Sequence, residues 1–290
     1  MGKTGIIIEG GAMRSIYAAG ILDYFLEQKI EIPNVLAVSA GALHGCSYVS
    51  GQKGRVLEAV IKPLKEYKYL GIGTFFKKGT FFDMEYLFNE IPKKKVPFDF
   101  EAFLNSAKHF LISTTDCITG KCIYHDQFHD QDEFWRICKT ANSLPFIARI
   151  TPINGVPMLD GGVADAIPVK KALEEGWDRL IVILTRKEDY RKKYRPLYQF
   201  FVRRVYREYP ELVRVLEERA DTYNQSLELV KRLEEEGKAL VFRPTGIVVK
   251  NQETNVETLL CSYGQGYTDA EQRCEEIESF LTTLGNCETR

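Results

Sequence analysis

Short apolar runs alternate along the chain with longer stretches in which apolar residues recur every three or four positions. These are the periods of buried strands and of one-sided helices. Gly5-Ile6-Ile7-Ile8 is a β-branched run suited to a central strand, and Tyr17, Ile21 and Phe25, with Ala18 and Leu22 beside them, predict a helix from about Met13 to Gln28. Val35-Leu36-Ala37-Val38 predicts a second strand, broken at Ser39 into a helix that runs to about Ser50 and stops at Gly51. His109 to Thr115 predicts a strand that turns at Thr119-Gly120 into a hairpin partner, Cys122 to His125. A helix over Phe134 to Asn142 follows. Then Ile153 to Leu159, with Asn154-Gly155 as a turn signal, leads into Asp160-Gly161-Gly162. Pro168 to Glu175 reads as a helix stopped by Gly176, and Leu180 to Leu184 is the clearest parallel strand. Glu211 to Glu236 is a long helix with Leu212, Val215, Leu216, Tyr223, Leu227, Val230 and Leu233 on one face. Ala239 to Phe242 is a late strand, and Val256 to Leu284 reads as terminal helices with a break near Gly264-Gln265-Gly266. The alternation of strand and helix means a βαβ architecture.

Two stretches mix basic and aromatic residues without a clear period. Ile61 to Pro97 reads as irregular and holds Lys62, Lys65, Lys68, Lys77, Lys78 and Lys93-Lys94-Lys95 among Phe75, Phe76, Phe81 and Phe82. It is either a lipid-facing lid or a solvated loop with its own small apolar cluster. Arg186 to Tyr209 is denser: Arg186, Lys192, Lys193, Arg195, Arg203, Arg204 and Arg207 interleave with Tyr190, Tyr194, Tyr198, Phe200 and Phe201. It is the best local site for peripheral contact with anionic lipid; the alternative is surface helices packed on the core through their aromatics. No glycine-aromatic motif supports RNA there, so no nucleic-acid partner is expected.

Composition narrows the class. A chain of 290 residues, 44% hydrophobic, can bury a sizeable core, and a net charge of −1 supplies no global field toward nucleic acid or lipid. Its seven scattered cysteines form no C-x-x-C pair, which favours free thiols in a reducing compartment. The N-terminus shows no signal-peptide pattern, and no apolar run approaches the ~18 residues of a membrane span. The expected location is the cytoplasm, with peripheral contact at the inner face of the membrane as an addition to it. No internal repeat or linker divides residues 1–290, so one domain is expected.

Candidate chemistry sits where strands end. Glu9-Gly10-Gly11-Ala12-Met13-Arg14 lies between a strand and the start of a helix, where backbone N–H groups can meet an anion. Neither the dinucleotide nor the P-loop glycine pattern is met, so an oxyanion hole is favoured over a phosphate cradle, with a plain tight turn as the alternative. Ser39 stands at a sharp strand-to-helix break, Ala37-Val38-Ser39-Ala40-Gly41, as a nucleophile on a strained turn or as a helix cap. Asp160 closes an apolar strand before two glycines, which suits either a carboxylate aimed at a neighbour or an Asx turn. His44 reads as packing. His125 and His129 could bind a metal if their segment were helical, but its acidic, strand-ending character favours a solvated loop. A serine needs a base, and the four histidines have no obvious triad placement; Asp160 can serve if dry surroundings raise its pKa.

Taken together, Glu9 to Arg14, Ala37 to Gly41 and Asp160-Gly161-Gly162 resemble, in order and approximate spacing, the motifs of the patatin-like phospholipases, or acyl hydrolases. The resemblance covers about residues 1–190, with a helical extension over about 191–290 similar to that of bacterial members. It implies a three-layer α/β/α fold with a mainly parallel central sheet. It also implies a Ser–Asp dyad without histidine, metal or cofactor, cleaving acyl esters of lipids through an acyl-enzyme. Ser39 matches the nucleophile and Asp160 the base. Gly10, Gly11 and Ala12 match the oxyanion loop, Arg14 the basic residue that closes it, and Ala40 follows the nucleophile. Ala12 and Ser15 stand where the family usually has glycine, and Ala37 replaces the elbow's first glycine. A methyl at 12 restricts the backbone if φ there is positive, which predicts lower activity or a smaller substrate. Two other readings remain open: a lipid- or acyl-binding regulatory protein of this fold with weak or lost turnover, and a Ser–His–Asp esterase using His125 or His129.

Overall fold

The computed structural model describes residues 3–247 and 249–282. Its strands are β1 (Lys3–Ile8), β2 (Asn34–Ala37), β3 (His109–Asp116), β4 (Cys122–His125), β5 (Thr151–Ile153), β6 (Val156–Asp160), β7 (Trp177–Ile183) and β8 (Ala239–Phe242). Its helices are α1 (Ile16–Glu27), α2 (Gly41–Val49), α3 (Lys62–Glu66), α4 (Ile72–Lys78), α5 (Phe100–Leu104), α6 (Gln131–Ala141), α7 (Val169–Glu174), α8 (Pro196–Val205), α9 (Pro210–Glu235), α10 (Val256–Gln272) and α11 (Cys274–Thr282). The sheet has eight strands in the order β5-β6-β3-β2-β1-β7-β8, with β4 paired to β3. Strands β3, β2, β1, β7 and β8 run parallel, while β4, β5 and β6 pair antiparallel.

Alternation along the strands makes the layers. Ile6, Ile8, Val35 and Ala37 face a core shared with α1, α2, α6 and α10. Ile7, Leu36 and Val38 face the opposite core, shared with α7 and α9. Ile6, Ile7 and Ile8 are each 0% exposed, which stabilises the fold by about 1.5–3 kcal/mol per side chain. The result is the expected three-layer α/β/α arrangement around a mainly parallel sheet.

Register brings distant segments together. Ile112 of β3 pairs with both Ala37 and His125, and Thr114 pairs with both Ile123 and Asp160. A residue has two edges, so β2 and β6 share one edge of β3 and β4 takes the other. Strands β2 and β6 therefore approach from opposite directions and meet at their carboxyl ends. The long β3 is the template for that meeting.

Two expectations are corrected. The helix α10 runs unbroken through Gly264-Gln265-Gly266. A Cβ on Gly266 would lie 2.0 Å from Tyr17 O of α1, and one on Gly20 would lie 2.0 Å from Tyr263 O, so these glycines permit close helix crossing. Ile61 to Pro97 is not irregular throughout: the end of the π-helical stretch Leu57–Ile61, then α3, α4 and the π-helical stretch Tyr86–Lys95 occupy much of it. Ile61, Leu64, Tyr69 and Leu70 bury against Met13 and Ile16, while Lys62, Lys78 and Lys94 pair with Glu58, Asp83 and Glu90. The Phe75 side chain, Leu284 and Cys287 lie outside the description; the six described cysteines are unpaired.

Candidate active site

Ser39 follows β2 directly, and the helix begins at once: Gly41 N donates to Val38 O and Ala42 N to Ser39 O. The turn forces Ser39 to φ 53°, a left-handed conformation that costs a residue with a Cβ of order 1 kcal/mol. Gly10 allows it room, because a Cβ there would sit 2.5 Å from Ser39 Cβ. Ser39 Oγ donates to Asp160 Oδ2 at 2.5 Å, across 121 residues of sequence.

Asp160 is fully buried. Its other oxygen, Oδ1, accepts from Gly162 N at 2.8 Å. Both sequence readings of this aspartate therefore hold at once, one oxygen closing an Asx turn and the other meeting Ser39. Gly161 must be glycine, since a Cβ would lie 2.1 Å from Ser113 Oγ. Burial pushes the Asp160 carboxyl up to about 6, against the opposing pull of Ser39, Gly162, Arg219 and Lys192.

The loop after β1 crosses beside this pair. Ala12 has φ 49°, so its methyl does sit on a strained backbone. The amides of Gly10, Gly11, Ala12 and Ala40 make no hydrogen bond among the described residues. The Arg14 amide, by contrast, donates to Gly11 O at 3.1 Å, so Arg14 can contribute only its side chain. Glu9, which the sequence left without a role, anchors the loop. Its Oε2 accepts from Thr185 N at 2.5 Å and its Oε1 from Tyr223 Oη at 2.8 Å. On the other side, Ser15 Oγ donates to Ala12 O at 2.7 Å and lies 2.7 Å from His44 Nε2. A hydroxyl has one proton, so His44 Nε2–H must be the donor in the second contact. Burial drives His44 down to about 3, which keeps the ring neutral.

Two spaces open from Ser39. A narrow apolar cleft is lined by Met13, Leu43, Phe82, Met84, Phe88 and Ala148. A cavity of about 430 Å³ lies on the other side, with Arg14, Arg186, Lys192, Lys193, Arg195 and Arg219 in its walls. Burial, then Arg186, lowers Arg14 to about 10, and burial with Arg219, Arg14 and Arg186 nearby lowers Lys192 to about 7. Arg186 and Lys192 belong to the stretch singled out as a lipid-facing patch; they turn inward, while Tyr194, Phe200 and Phe201 face outward. Arg219 had no sequence signal beyond its place on α9. His125 bonds Thr114 Oγ1 at 2.8 Å and His129 is exposed, so neither is bonded to Ser39. Among the described residues no cluster could hold a metal ion.

A mainly parallel α/β/α fold thus sets a serine on a strained turn against a buried carboxylate. Residues 6–173 match the family model described as patatin-like phospholipase, over half of the chain, and the protein belongs to that family. Family membership supports hydrolysis of lipid esters in general. Residues 209–282 match a second model, described as a domain of unknown function. The chain is 25% identical over 191 residues to the uncharacterized protein YjjU of Escherichia coli (strain K12); the match spans 63% of this chain and 52%, about half, of that relative. The crystal structure of VipD from Legionella pneumophila aligns with a TM-score of 0.47 and 10% identity, covering 95% of this chain and 67% of that one.

Proposed function

We propose that this protein is a serine acyl hydrolase that cleaves carboxylic esters of lipids through an acyl-enzyme on Ser39. The observation that carries the reading is the 2.5 Å hydrogen bond from Ser39 Oγ to Asp160 Oδ2. Asp160 takes the Ser39 proton as Oγ attacks the acyl carbon. The amides of Gly11, Ala12 and Ala40 receive the developing oxyanion, each such donor typically supplying ~3–4 kcal/mol, and the Arg14 cation closes the loop. The protonated Asp160 then gives its proton to the leaving alcohol. In the second half-reaction Asp160 deprotonates water, which attacks the acyl-enzyme and releases the acid and Ser39.

Ser39→Ala and Asp160→Asn should each lower hydrolysis of a p-nitrophenyl acyl ester by about 10³-fold or more, with circular dichroism unchanged. A fluorophosphonate probe should label the wild type and not Ser39→Ala. Normal turnover in either variant removes that residue from the mechanism, and an unlabelled, inactive wild type favours the binding-only reading.

The same proposal sets the outer face of α8 against a lipid surface in the cytoplasm, at the inner face of the membrane. Leu197, Phe200 and Phe201 are 71%, 62% and 48% exposed, beside the basic rim of Lys193 and Arg195 at the cavity mouth. Among the described residues no helix is long and apolar enough to cross a membrane. Co-sedimentation with anionic liposomes that weakens as salt rises supports this contact; absence of binding at every salt concentration withdraws it. The tight α1–α10 crossing supports treating the chain as one unit.

A further inference from the structure

The two spaces beside Ser39 differ in a way that assigns the halves of the substrate. The apolar cleft suits an acyl chain. The opposite cavity then receives the alcohol half, and its walls are cationic: Arg14, Arg186, Lys192, Lys193, Arg195 and Arg219. We infer that the ester cleaved here carries a phosphate monoester on its alcohol half, held in this cavity by Arg186, Lys192 and Arg219. This rests on the acyl hydrolase reading above and adds the chemical class of the leaving group.

Charge accounting is the first support. The cavity walls hold two carboxylates, and both are engaged: Glu9 by Thr185 and Tyr223, Asp160 by Ser39 and Gly162. None of the six cations forms an ion pair with a carboxylate among the described residues. Their neighbours on the outer surface do: Arg191 with Glu228, Arg203 with Glu217, and Arg214 with Glu211 and Glu218. Glu9 and Asp160 act on Arg14, Lys192 and Arg219 without pairing directly with them; partly buried like charges with so few counterions are costly, and an anion bound among them lowers that cost.

Geometry is the second. Arg14, Arg186, Lys192 and Arg219 are partly buried and held against the cavity, while Lys193 and Arg195 are exposed at its rim. Arg219 Nε donates to Gly162 O at 2.9 Å, which fixes the guanidinium beside Asp160. Arg186 lies over the Tyr190 ring at 4.3 Å and Lys192 over the Tyr223 ring at 4.7 Å. The buried Arg14 Nε has no partner. Two of the three holders carry planar donor forks, which match phosphate oxygens in pairs. A cavity of about 430 Å³ accommodates a glycerol phosphate and lies within the usual ligand range. Burial first, and then the neighbouring Arg219, lowers Lys192 to about 7, and a bound anion would raise it again.

The reaction balances without another reactant. The Ser39 Oγ–acyl bond forms as the ester C–O bond to the alcohol breaks, and the Asp160 proton passes to that alcohol oxygen. Glycerol phosphate leaves, and water releases the acid.

The test compares three substrates with one common acyl chain, each below its critical micelle concentration: monoacylglycerol phosphate, monoacylglycerol and monoacylglycerol phosphocholine. Acid release should give kcat/KM about tenfold or more higher for the phosphate monoester than for either of the others. Arg186→Gln and Lys192→Gln should each reduce that ratio, mainly through KM. Equal rates on all three, or a preference that survives both substitutions, overturns the inference. If inorganic phosphate competes with p-nitrophenyl butyrate while the three rates stay equal, the site serves a free anion and the inference also falls. If no ester is cleaved and no fluorophosphonate label appears, the acyl hydrolase reading fails separately. Calorimetry of Ser39→Ala with monoacylglycerol phosphate then decides the site: saturable binding lost with Arg186→Gln sustains it, and no binding ends it.

Discussion

The two sides of Ser39 are built by different means and from different parts of the chain. The apolar side is walled by α2, the short helical segments within residues 57–95 and the stretch after α6; its buried polar pair, Ser15 and His44, is neutral and turned toward the loop backbone. The cationic side is walled by the segment after β7 and by α9, and Asp160 is its inner boundary. One side excludes charge and the other gathers it, with one hydroxyl between them. Such a junction sorts an amphiphile by polarity before any bond is made. Binding energy from both halves then positions the ester carbon against Ser39 Oγ.

Blocking the apolar side should have the largest effect that leaves the reacting groups intact. Ala148 lines that cleft and not the cationic cavity. Ala148→Phe should lower hydrolysis of long-chain p-nitrophenyl esters by about 100-fold while sparing the butyrate, since the lost contact is mostly alkyl burial. A uniform loss across chain lengths would show that the acyl group does not use this side.

The cationic side should speak through pH. Asp160 must be ionised to accept the Ser39 proton, and burial raises it to about 6. Activity on a neutral ester should therefore be low in acid and rise with an apparent pKa near this value, so that pH 5 gives about a tenth of the plateau. Lys192 pulls the Asp160 value down, so Lys192→Gln should move the acid limb upward. The linkage sign for stability is opposite to that for activity. A carboxyl raised above its unfolded value destabilises the fold once pH passes that unfolded value, and the cost is full above about 6, up to ~3 kcal/mol. Asp160→Asn should thus be inactive yet no less stable than wild type at pH 7 by thermal unfolding.

How much of this the sequence carries differs between the two sides. Ser39, Asp160 and the loop around Gly10 and Gly11 announce themselves, because a strained turn and a close backbone approach restrict residue type. Their meeting is legible only through the family resemblance, and not from periodicity or spacing. It depends on β6 running antiparallel along the edge of β3 that β2 also uses, and antiparallel direction leaves no mark in Val156 to Asp160 itself. The cationic side was half legible. The run from Arg186 to Tyr209 reads as one basic-aromatic patch, but chain direction after β7 splits it between cavity and surface, and Arg219 joins from another helix. Gly264 and Gly266 show the limit most plainly. A glycine there signals a break or a close crossing equally well: a Cβ on Gly264 would meet nothing within 4 Å, and only at Gly266 does the Tyr17 carbonyl on α1 require the glycine.

The smallest effect concerns the one polar device on the apolar side. Ala12 stands at φ 49°, and its carbonyl is held by Ser15 Oγ, which is held in turn by His44 Nε2–H. A glycine at 15 would lack this hydroxyl, so the serine is the counterpart of the alanine at 12: the strained residue has a tether. Ser15→Ala removes a bond worth about 0.5–1.5 kcal/mol and frees the loop amides to wander from the oxyanion. The expected result is a several-fold fall in kcat with KM and the acid limb unchanged. His44→Phe should act through the same hydroxyl, so the double variant should lose little more than either single one. Additive losses would mean that His44 supports the α2 packing and not the loop, leaving Ser15 as the tether on its own.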